Sequence, residues 1–416
     1  MNDAEHARST ADAVARRSYG KLVAFLAARS RDVAAAEDAL ADAFAAALVD
    51  WPARGLPRNP EAWLLTTARR KLIDAQRRRQ TVKAAAPELD RAAELLAPAP
   101  DEEADDMKIP DHRLALMFAC THPAIDASVR APLILQTVLG FDAAMIASAF
   151  LASPAAMGQR LVRAKAKIKQ AGIPLRVPER REELAERLDA VLAAIYAAFA
   201  EGWQDPVGTE PARRELAEEA LYLGRLVTEL LPGEPEAFGL LALMLYADAR
   251  RHARRTQGGD YVPLADQDVE LWDDALIDEA EALLVRASEL HAPGRYQLEA
   301  ALQSAHVNGR RLGRVDGSAL LALYDALLEL SGSPVVALNR ALALARVHGA
   351  AAALLSLDAL AADTRLADYQ PYWAARAELL AQTNARAEAR AAYGRAIGLE
   401  PDAAVRRFLQ RRLAAL

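Results

Sequence analysis

The sequence predicts an all-α protein with two small helical units followed by a larger helical-repeat region. Ala and Leu, both strong helix formers, dominate a chain of 416 residues that is 53% hydrophobic. Aromatic residues make up only 6%, and alternating runs rich in Val, Ile and Thr are scarce, which argues against a mainly β fold. The length corresponds to about two to four folding units.

The first two helices are predicted over residues 12–29 and 33–49. Asp32 is placed to cap the second helix, because an aspartate side chain accepts hydrogen bonds from free amides of the first turn. Apolar residues recur at helical spacing in this second helix and are expected to face the core: Ala36, Leu40, Phe44, Ala47 and Leu48. Three acidic residues are expected on its exposed face: Glu37, Asp38 and Asp42.

A loop and a third helix follow. Three prolines and a glycine in residues 51–60 predict the loop. Asn59 and Pro60 are typical of a helix start, as N-cap and first helical residue, and the helix is expected to reach Arg79. Its inward residues are predicted to be Trp63, Leu64, Ala68, Leu72 and Ile73. Cations crowd its middle and end: Arg69, Arg70, Lys71, Arg77, Arg78 and Arg79.

An acidic linker and a second small unit are predicted next. Residues 81–110 contain four prolines and the run DEEADD, a composition typical of an extended tether between domains. Residues 111–172 are expected to form four helices, at 112–119, 126–138, 142–149 and 154–170. A short helix, a tight turn and a basic final helix give the helix-turn-helix layout. Four residues of the final helix are expected to face inward: Met157, Leu161, Val162 and Ile168.

Residues 180–416 are predicted to be helix after helix, separated by Pro/Gly turns. Near the C-terminus, five residues match the spacing of a tetratricopeptide repeat: Trp373, Ala389, Tyr393, Ala396 and Pro401. A weaker copy lies 36 residues earlier, at Ala337, Ala353, Leu357 and Leu360. Two copies are too few for an independent solenoid, so the preceding helices are expected to stack beneath them as divergent repeats.

Charge is distributed unevenly along the chain. The overall net charge of −6 consists of +4 over residues 1–80, −5 over 81–110, +4 over 111–172 and −9 over the remainder. Basic units approach a phosphate backbone at low electrostatic cost, whereas an acidic unit resists it. The two small units are therefore the candidates for contact with nucleic acid.

The number of cysteines and the lengths of the apolar runs indicate the cellular compartment in which the protein is expected. The single cysteine, Cys120, excludes an intramolecular disulfide and favours a reducing, cytoplasmic location. The N-terminal residues lack the apolar stretch of a signal peptide. No uncharged apolar run reaches the roughly 18 residues of a membrane span, so we expect no membrane association.

Motifs of known enzymes and metal sites are absent from the sequence. It contains no GxSxG, Walker A, Rossmann or HExxH pattern. His112, Cys120 and His122 lack the spacing and fourth ligand of a zinc site, so Cys120 is expected to be buried and His122 to lie in a turn. Glu201, Trp203 and Asp205 could form a small-ligand site, but polar residues at a helix end are the preferred interpretation. We expect no enzymatic activity, metal or cofactor.

Segments AEDALADAFAAAL (36–48), NPEAWLLTTARRKLIDAQRRR (59–79) and FDAAMIASAFLASPAAMGQRLVRAKAKIK (141–169) are specific in their order and spacing. They resemble regions 2.2, 2.3–2.4 and 4.2 of the bacterial extracytoplasmic-function (group 4) RNA polymerase sigma factors. Tail segments resemble the subgroup with a tetratricopeptide-like C-terminal extension: LLALMLYADARRHAR, LADQDVELWD, GRYQLEA and SPVVALNRALA. The resemblance covers nearly the whole chain.

The resemblance implies a protein that directs core RNA polymerase to promoters by binding, without covalent catalysis. Residues 10–80 would be region 2, 111–172 region 4, and 180–416 the extension. The partners would be promoter DNA and the polymerase core, through its β′ clamp helices and β flap. An acidic–apolar helix face suits a basic coiled coil, and four residues would contact the clamp helices: Glu37, Asp38, Asp42 and Phe44.

The resemblance also assigns two DNA-binding surfaces. Melting the −10 element needs a trap for an unstacked base and cations for phosphates, which would come from Trp51, Arg58, Asn59, Arg69, Arg70, Lys71, Arg77 and Arg78. The final helix of region 4 would enter the −35 major groove through Ser153, Ala155, Met157, Gln159, Arg160, Arg163 and Lys167. Lys165 and Lys169 are expected to contact phosphates as well.

The C-terminal extension would regulate activity or bind a protein or peptide, with Asn339 and Arg340 lining a groove. Two alternatives remain open. A one-component helix-turn-helix regulator with an effector-binding tail would bind duplex DNA without polymerase. An enzyme with a helical catalytic tail would need an acid–base cluster, for which Glu201, Asp205 and His252 are the candidates to mutate.

Overall fold

The computed structural model describes residues 3–81, 109–150, 152–203, 211–313 and 316–416. Within these residues the chain is helical, and the β-type pairing is confined to one bridge between Arg255 and Tyr261, which confirms the predicted all-α class. No helix in the described ranges is long and apolar enough to cross a membrane. The described residues up to Gly202, with Pro211–Ala220, form one compact unit, and Trp203 with the described residues from Leu221 onward forms a second.

Most helices of the first unit have bounds close to the predicted ones, but the first helix begins at Asp3 rather than at residue 12, and the second continues to Arg54 rather than to residue 49. The helices of this unit are α1 (Asp3–Ser30), α2 (Val33–Arg54), α3 (Pro60–Thr81), α4 (Arg113–Cys120), α5 (Ala127–Leu139), α6 (Ala143–Ala149), α7 (Pro154–Gln170) and α8 (Arg181–Trp203), followed by the start of α9 (Pro211–Leu230). Glycine and capping residues set several of these bounds. Gly140 ends α5 in the left-handed region, at φ 78°, and the Ser153 side chain accepts from Ala156 N–H to begin α7.

The loop predicted at 51–60 is shorter than expected, because α2 continues to Arg54 with Pro52 inside it. Trp51 follows the buried Ala43 and Ala47 at intervals of four residues, so one more helical turn places its indole on the same buried stripe. Gly55, at φ 88°, then ends the helix. Two predicted core residues are also wrong: Leu48 is 46% exposed and Val162 is 63% exposed.

The second unit is a succession of helices with two longer connections, between Ala249 and Asp274 and between Asp358 and Gln370, that contain short 3-10 helices. After α9 come α10 (Pro235–Ala249), α11 (Asp274–Glu289), α12 (Arg295–Arg311), α13 (Gly317–Ser331), α14 (Pro334–His348), α15 (Ala350–Asp358), α16 (Gln370–Gln382), α17 (Arg386–Leu399) and α18 (Ala403–Ala414). Neighbouring helices share apolar clusters, so each buries its apolar stripe against the next. The predicted tetratricopeptide spacing falls on α16 and α17, where Ala389, Tyr393 and Ala396 are buried.

Candidate nucleic-acid interface

The acidic face of α2 is divided between solvent and helix α7. Asp38 and Asp42 are exposed, as predicted, and Phe44 is half-buried. Glu37 faces α7 instead, and only 12% of its side chain is exposed. Its Oε2 accepts a hydrogen bond from Lys165 Nζ at 2.6 Å. The predicted polymerase-binding face therefore keeps two carboxylates at the surface and places the third in an ion pair.

The Glu37–Lys165 pair is costly to break. Burial raises the pKa of Glu37, while the charge and hydrogen bond of Lys165 oppose that rise. The second carboxylate oxygen, Glu37 Oε1, is buried with no hydrogen-bond partner. Loss of Lys165 would leave a buried carboxylate uncompensated, which typically costs about 3–5 kcal/mol.

A second ion pair joins the start of α2 to α7, and α1 approaches the backbone of α5 closely. Asp32, which caps α2 through Ala35 N–H at 3.1 Å, also accepts from Lys169 Nζ at 2.6 Å. On α1, Gly20 faces α5 so closely that a Cβ would lie 1.8 Å from the Val138 carbonyl oxygen. Helices of the predicted region 2 thus pack directly on helices of the predicted region 4.

The predicted −10 contacts fall into two groups. Trp51 is 2% exposed and packs edge-on against Trp63, with ring centroids 5.6 Å apart. Arg69 is 8% exposed and lies over the Phe25 ring, 4.8 Å from its centroid. Burial, together with the charge of Arg29, lowers the pKa of Arg69. These two predicted contacts lie in the core, whereas four others are exposed: Arg58, Arg70, Lys71 and Arg77.

Two predicted −10 residues remain: Asn59, at the start of α3, and Arg78, near its end. Asn59 caps α3, as predicted, by accepting a hydrogen bond from Ala62 N–H at 3.1 Å. The Arg78 side chain lies outside the described residues, as does most of the predicted acidic linker, residues 82–108.

The cations of α7 lie on two different faces. Lys165 and Lys169 bind α2, so these two predicted phosphate contacts are occupied within the unit. The other face carries four of the predicted −35 residues, all exposed: Gln159, Arg160, Arg163 and Lys167. A helix turns about 100° per residue, so the spacing of these cations already separates the two faces, although the sequence does not show which partner each would meet.

A groove of about 470 Å³ opens beside the exposed face of α7. It is lined by three cations of that helix and by the start of α5: Ala124, Ile125, Asp126, Ser128, Val129, Arg160, Arg163, Ala164 and Lys167. Three cations against one carboxylate favour an anionic partner such as a phosphate backbone. Ser153 and Ala155 are exposed at the start of α7, whereas Met157 is 2% exposed and belongs to the core.

The residues weighed as metal ligands have structural roles. Cys120 is buried, as predicted, and its Sγ lies 3.4 Å from Thr137 Oγ1. Burial raises the pKa of this thiol to about 12, so it is not a reactive thiolate at neutral pH. His112 packs against Phe25, with ring centroids 5.9 Å apart. Across the described ranges, no group of three or more His, Cys, Asp or Glu residues is placed to hold a metal ion.

The predicted groove and ligand-site residues of the C-terminal region have varied placements. Arg340 forms an ion pair with Asp325, and Asn339 is half-buried. Glu201 is half-buried near the end of α8, and Asp205 lies outside the described residues.

Comparison with known proteins identifies two segments and one relative. Residues 14–82 match the sigma-70 region 2 family, and residues 187–288 match DUF6596, a family of unknown function. The uncharacterized protein R00370 of Rhizobium meliloti (strain 1021) is 39% identical over 389 residues, covering 92% of this chain and 90% of the relative. This chain belongs to the same family as that protein. No solved structure matches the chain.

The sigma-70 region 2 match covers the larger part of α1 and all of α2 and α3, and α2 and α3 carry the exposed acidic and basic side chains described above. This match supports a sigma-factor role in transcription initiation, in which RNA polymerase core and promoter DNA are the expected partners. The DUF6596 match spans α8 to α11, most of it in the second unit.

Proposed function

We propose that this chain is a group 4 sigma factor that directs core RNA polymerase to specific promoters, with the second unit as a tetratricopeptide-like regulatory or interaction domain. The observation that carries the proposal is the sigma-70 region 2 match on α1–α3, where Asp38 and Asp42 are exposed on one face of α2. Exposed carboxylates beside the half-buried Phe44 suit a basic coiled coil such as the clamp helices.

Surface exposure limits which residues are proposed to contact DNA. For the −10 element the proposal uses Arg58, Arg70, Lys71 and Arg77, because Trp51 and Arg69 are buried. For the −35 element it uses Arg160, Arg163 and Lys167 of α7, which line the groove, together with the exposed Gln159 of the same helix. Arg and Gln side chains can hydrogen-bond to guanine and adenine edges, and Lys to phosphates.

The closed arrangement of α2 on α7 sets a geometric condition on this function. Elements about 25 base pairs apart on B-DNA are separated by about 85 Å. A compact unit of about 200 residues has a radius of gyration of only about 16 Å. We infer that the contacts Glu37–Lys165 and Asp32–Lys169 break when both elements are bound. The predicted linker, with thirty residues over 81–110, has an extended length of about 100 Å, which covers the distance.

The test is association with purified core polymerase and run-off transcription on genomic fragments. Charge reversal of the exposed pair, Asp38→Lys with Asp42→Lys, should weaken association at least tenfold and abolish run-off product. The matched control is Asp278→Lys, an exposed acid of the second unit, which should leave both unchanged. Association that survives the double reversal contradicts the proposed role of α2.

A gel shift with and without core enzyme distinguishes the proposed sigma factor from a one-component helix-turn-helix regulator. A one-component regulator would bind its duplex without core, and in that case the groove face of α7 alone would carry DNA binding. The proposed sigma factor should give a specific shift only when core is present.

A further inference from the structure

The segment Arg250–Arg255 places several guanidinium groups in the interior of the second unit. Arg250 ends α10 and is 9% exposed, and the Arg255 side chain is also 9% exposed. Arg254, in the short 3-10 helix Arg251–Arg254, is half-buried, with its guanidinium 3.9 Å from the Trp203 ring centroid. We call Arg250, Arg254 and Arg255 the arginine cluster.

Two of the three guanidinium groups of the cluster have no carboxylate partner within the described ranges. Arg250 donates to the Tyr246 carbonyl at 3.0 Å and to the Gln303 side chain, and Arg254 donates to the Trp203 carbonyl at 2.9 Å. Among the residues that the structure describes, neither Arg250 nor Arg254 forms an ion pair. Burial lowers the pKa of each to about 10, so both still carry full charge at neutral pH.

Arg255 has two buried hydrogen-bond donors that are not satisfied by the part of the protein that the structure describes. One of its nitrogens, Nη2, binds Asp402 at the start of α18. The other two, Nε and Nη1, are buried and have no hydrogen-bond partner. Buried polar atoms are nearly always hydrogen-bonded, so two orphaned donors on one charged group call for a ligand.

Further cations surround the cluster. Beyond burial, the charges of Arg255 and Arg250 within the cluster and of the neighbouring Arg251 lower the pKa of Arg254. Arg251 is itself paired with Asp248. On α12, burial and then the charges of Arg346 and Arg250 lower the pKa of His306 to about 4, so this imidazole is neutral at pH 7. Positive charge is thus concentrated around Arg250 and Arg254, inside a unit that belongs to the acidic part of the chain.

We propose that the arginine cluster is a binding site for the phosphate group of a small molecule. A planar guanidinium donates two parallel hydrogen bonds to an oxyanion, and a buried cation is stabilised by a bound anion. Two of the three side chains are about nine-tenths buried, which excludes the backbone of a macromolecule and favours a small ligand. The site is independent of the proposed role in transcription, since it needs neither polymerase nor DNA.

The test is equilibrium dialysis of the full-length chain against radiolabelled inorganic phosphate, with adenosine 5′-monophosphate in a second arm, at constant ionic strength in chloride. We expect saturable binding of one anion per chain in at least one arm. Binding in both arms identifies the phosphate group as sufficient, and binding of the nucleotide alone identifies a larger phosphorylated ligand. No saturable binding in either arm overturns the proposal.

Variants locate the site. Arg254→Gln should weaken binding by about 10- to 100-fold, the range expected for loss of a charged hydrogen bond. Arg255→Lys keeps the charge and the Asp402 pairing but removes the planar fork, so it should also weaken binding while the far-ultraviolet circular dichroism stays unchanged. The control is Arg390→Gln, an exposed arginine on α17. If both cluster variants bind like the original chain, or if Arg163→Gln with Lys167→Gln removes the binding instead, the proposal is overturned.

Discussion

Single long-range side-chain contacts decide which charges of this chain remain available to partners. Glu37 and Lys165 are 128 residues apart in sequence, yet they form a 2.6 Å ion pair in which both side chains are nearly buried. Asp38, the next residue along α2, is exposed. Helical spacing predicts an acidic face, but it cannot show which carboxylate of that face meets a lysine from a distant segment.

The first residue-scale prediction concerns pH. A carboxyl whose pKa is raised on folding stabilises the fold below its unfolded pKa and loses that contribution as pH rises through its folded value. Since Lys165 holds the pKa of Glu37 down, Lys165→Met should raise it further. We expect a loss of about 3–5 kcal/mol near pH 7.5 and a distinctly smaller loss near pH 5. Hydrogen exchange in α2 and α7 at the two pH values measures this.

The control for that variant is Lys165→Met combined with Glu37→Gln, which removes the charge that the first change leaves buried. The double variant should recover most of the stability at pH 7.5 and lose the pH dependence. Equal destabilisation of single and double variants would mean that Lys165 acts through its packing rather than its charge.

Glycine and capping residues that end or begin helices explain why the helix bounds of the helix-turn-helix segment could be predicted closely. Gly140 in the left-handed region and the Ser153 cap fix the ends of α5 and the start of α7 by local chemistry alone. The end of α2 was predicted poorly because Pro52 normally stops a helix, whereas here burial of Trp51 favours one more turn. Tertiary packing overrode a local signal at that position.

The element-scale prediction compares two helix glycines. A Cβ at Gly20 would lie 1.8 Å from the Val138 carbonyl oxygen, so Gly20→Ala must push α1 from α5 and destabilise the closed unit. At Gly158 the nearest contact for a Cβ is Ala143 at 3.9 Å, so Gly158→Ala should instead stabilise α7 by about 0.5–1 kcal/mol. Hydrogen exchange in α1, α5 and α7 distinguishes the two effects. Equal behaviour of both variants would contradict the close α1–α5 packing.

At the scale of the whole molecule, the compact units do not end where the helix-turn-helix pattern ends. The first unit includes α8, whose Arg187 donates to the Phe118 carbonyl of α4 at 2.7 Å and lies over the Phe118 ring. The large buried apolar residues of α8 are Leu188, Val191, Leu192, Ile195 and Phe199. The sequence places the end of region 4 at 172, but it does not reveal that the next helix belongs to the same compact unit and contacts α4.

A shortened chain therefore tests both the fold and the proposed regulation. A chain ending at Pro178 exposes the surface that α8 covers, and burial of each lost apolar side chain is worth about 1.5–3 kcal/mol. Because the total stability of a domain is only about 5–15 kcal/mol, we expect the 1–178 chain to unfold at much lower urea than a 1–203 chain. Circular dichroism against urea measures this.

Run-off transcription should then be compared between the 1–203 chain and the full chain. Output that is unchanged by removing residues 204–416 would contradict a regulatory role of the second unit. Equal urea midpoints for the two shortened chains would contradict the packing of α8 on the first unit.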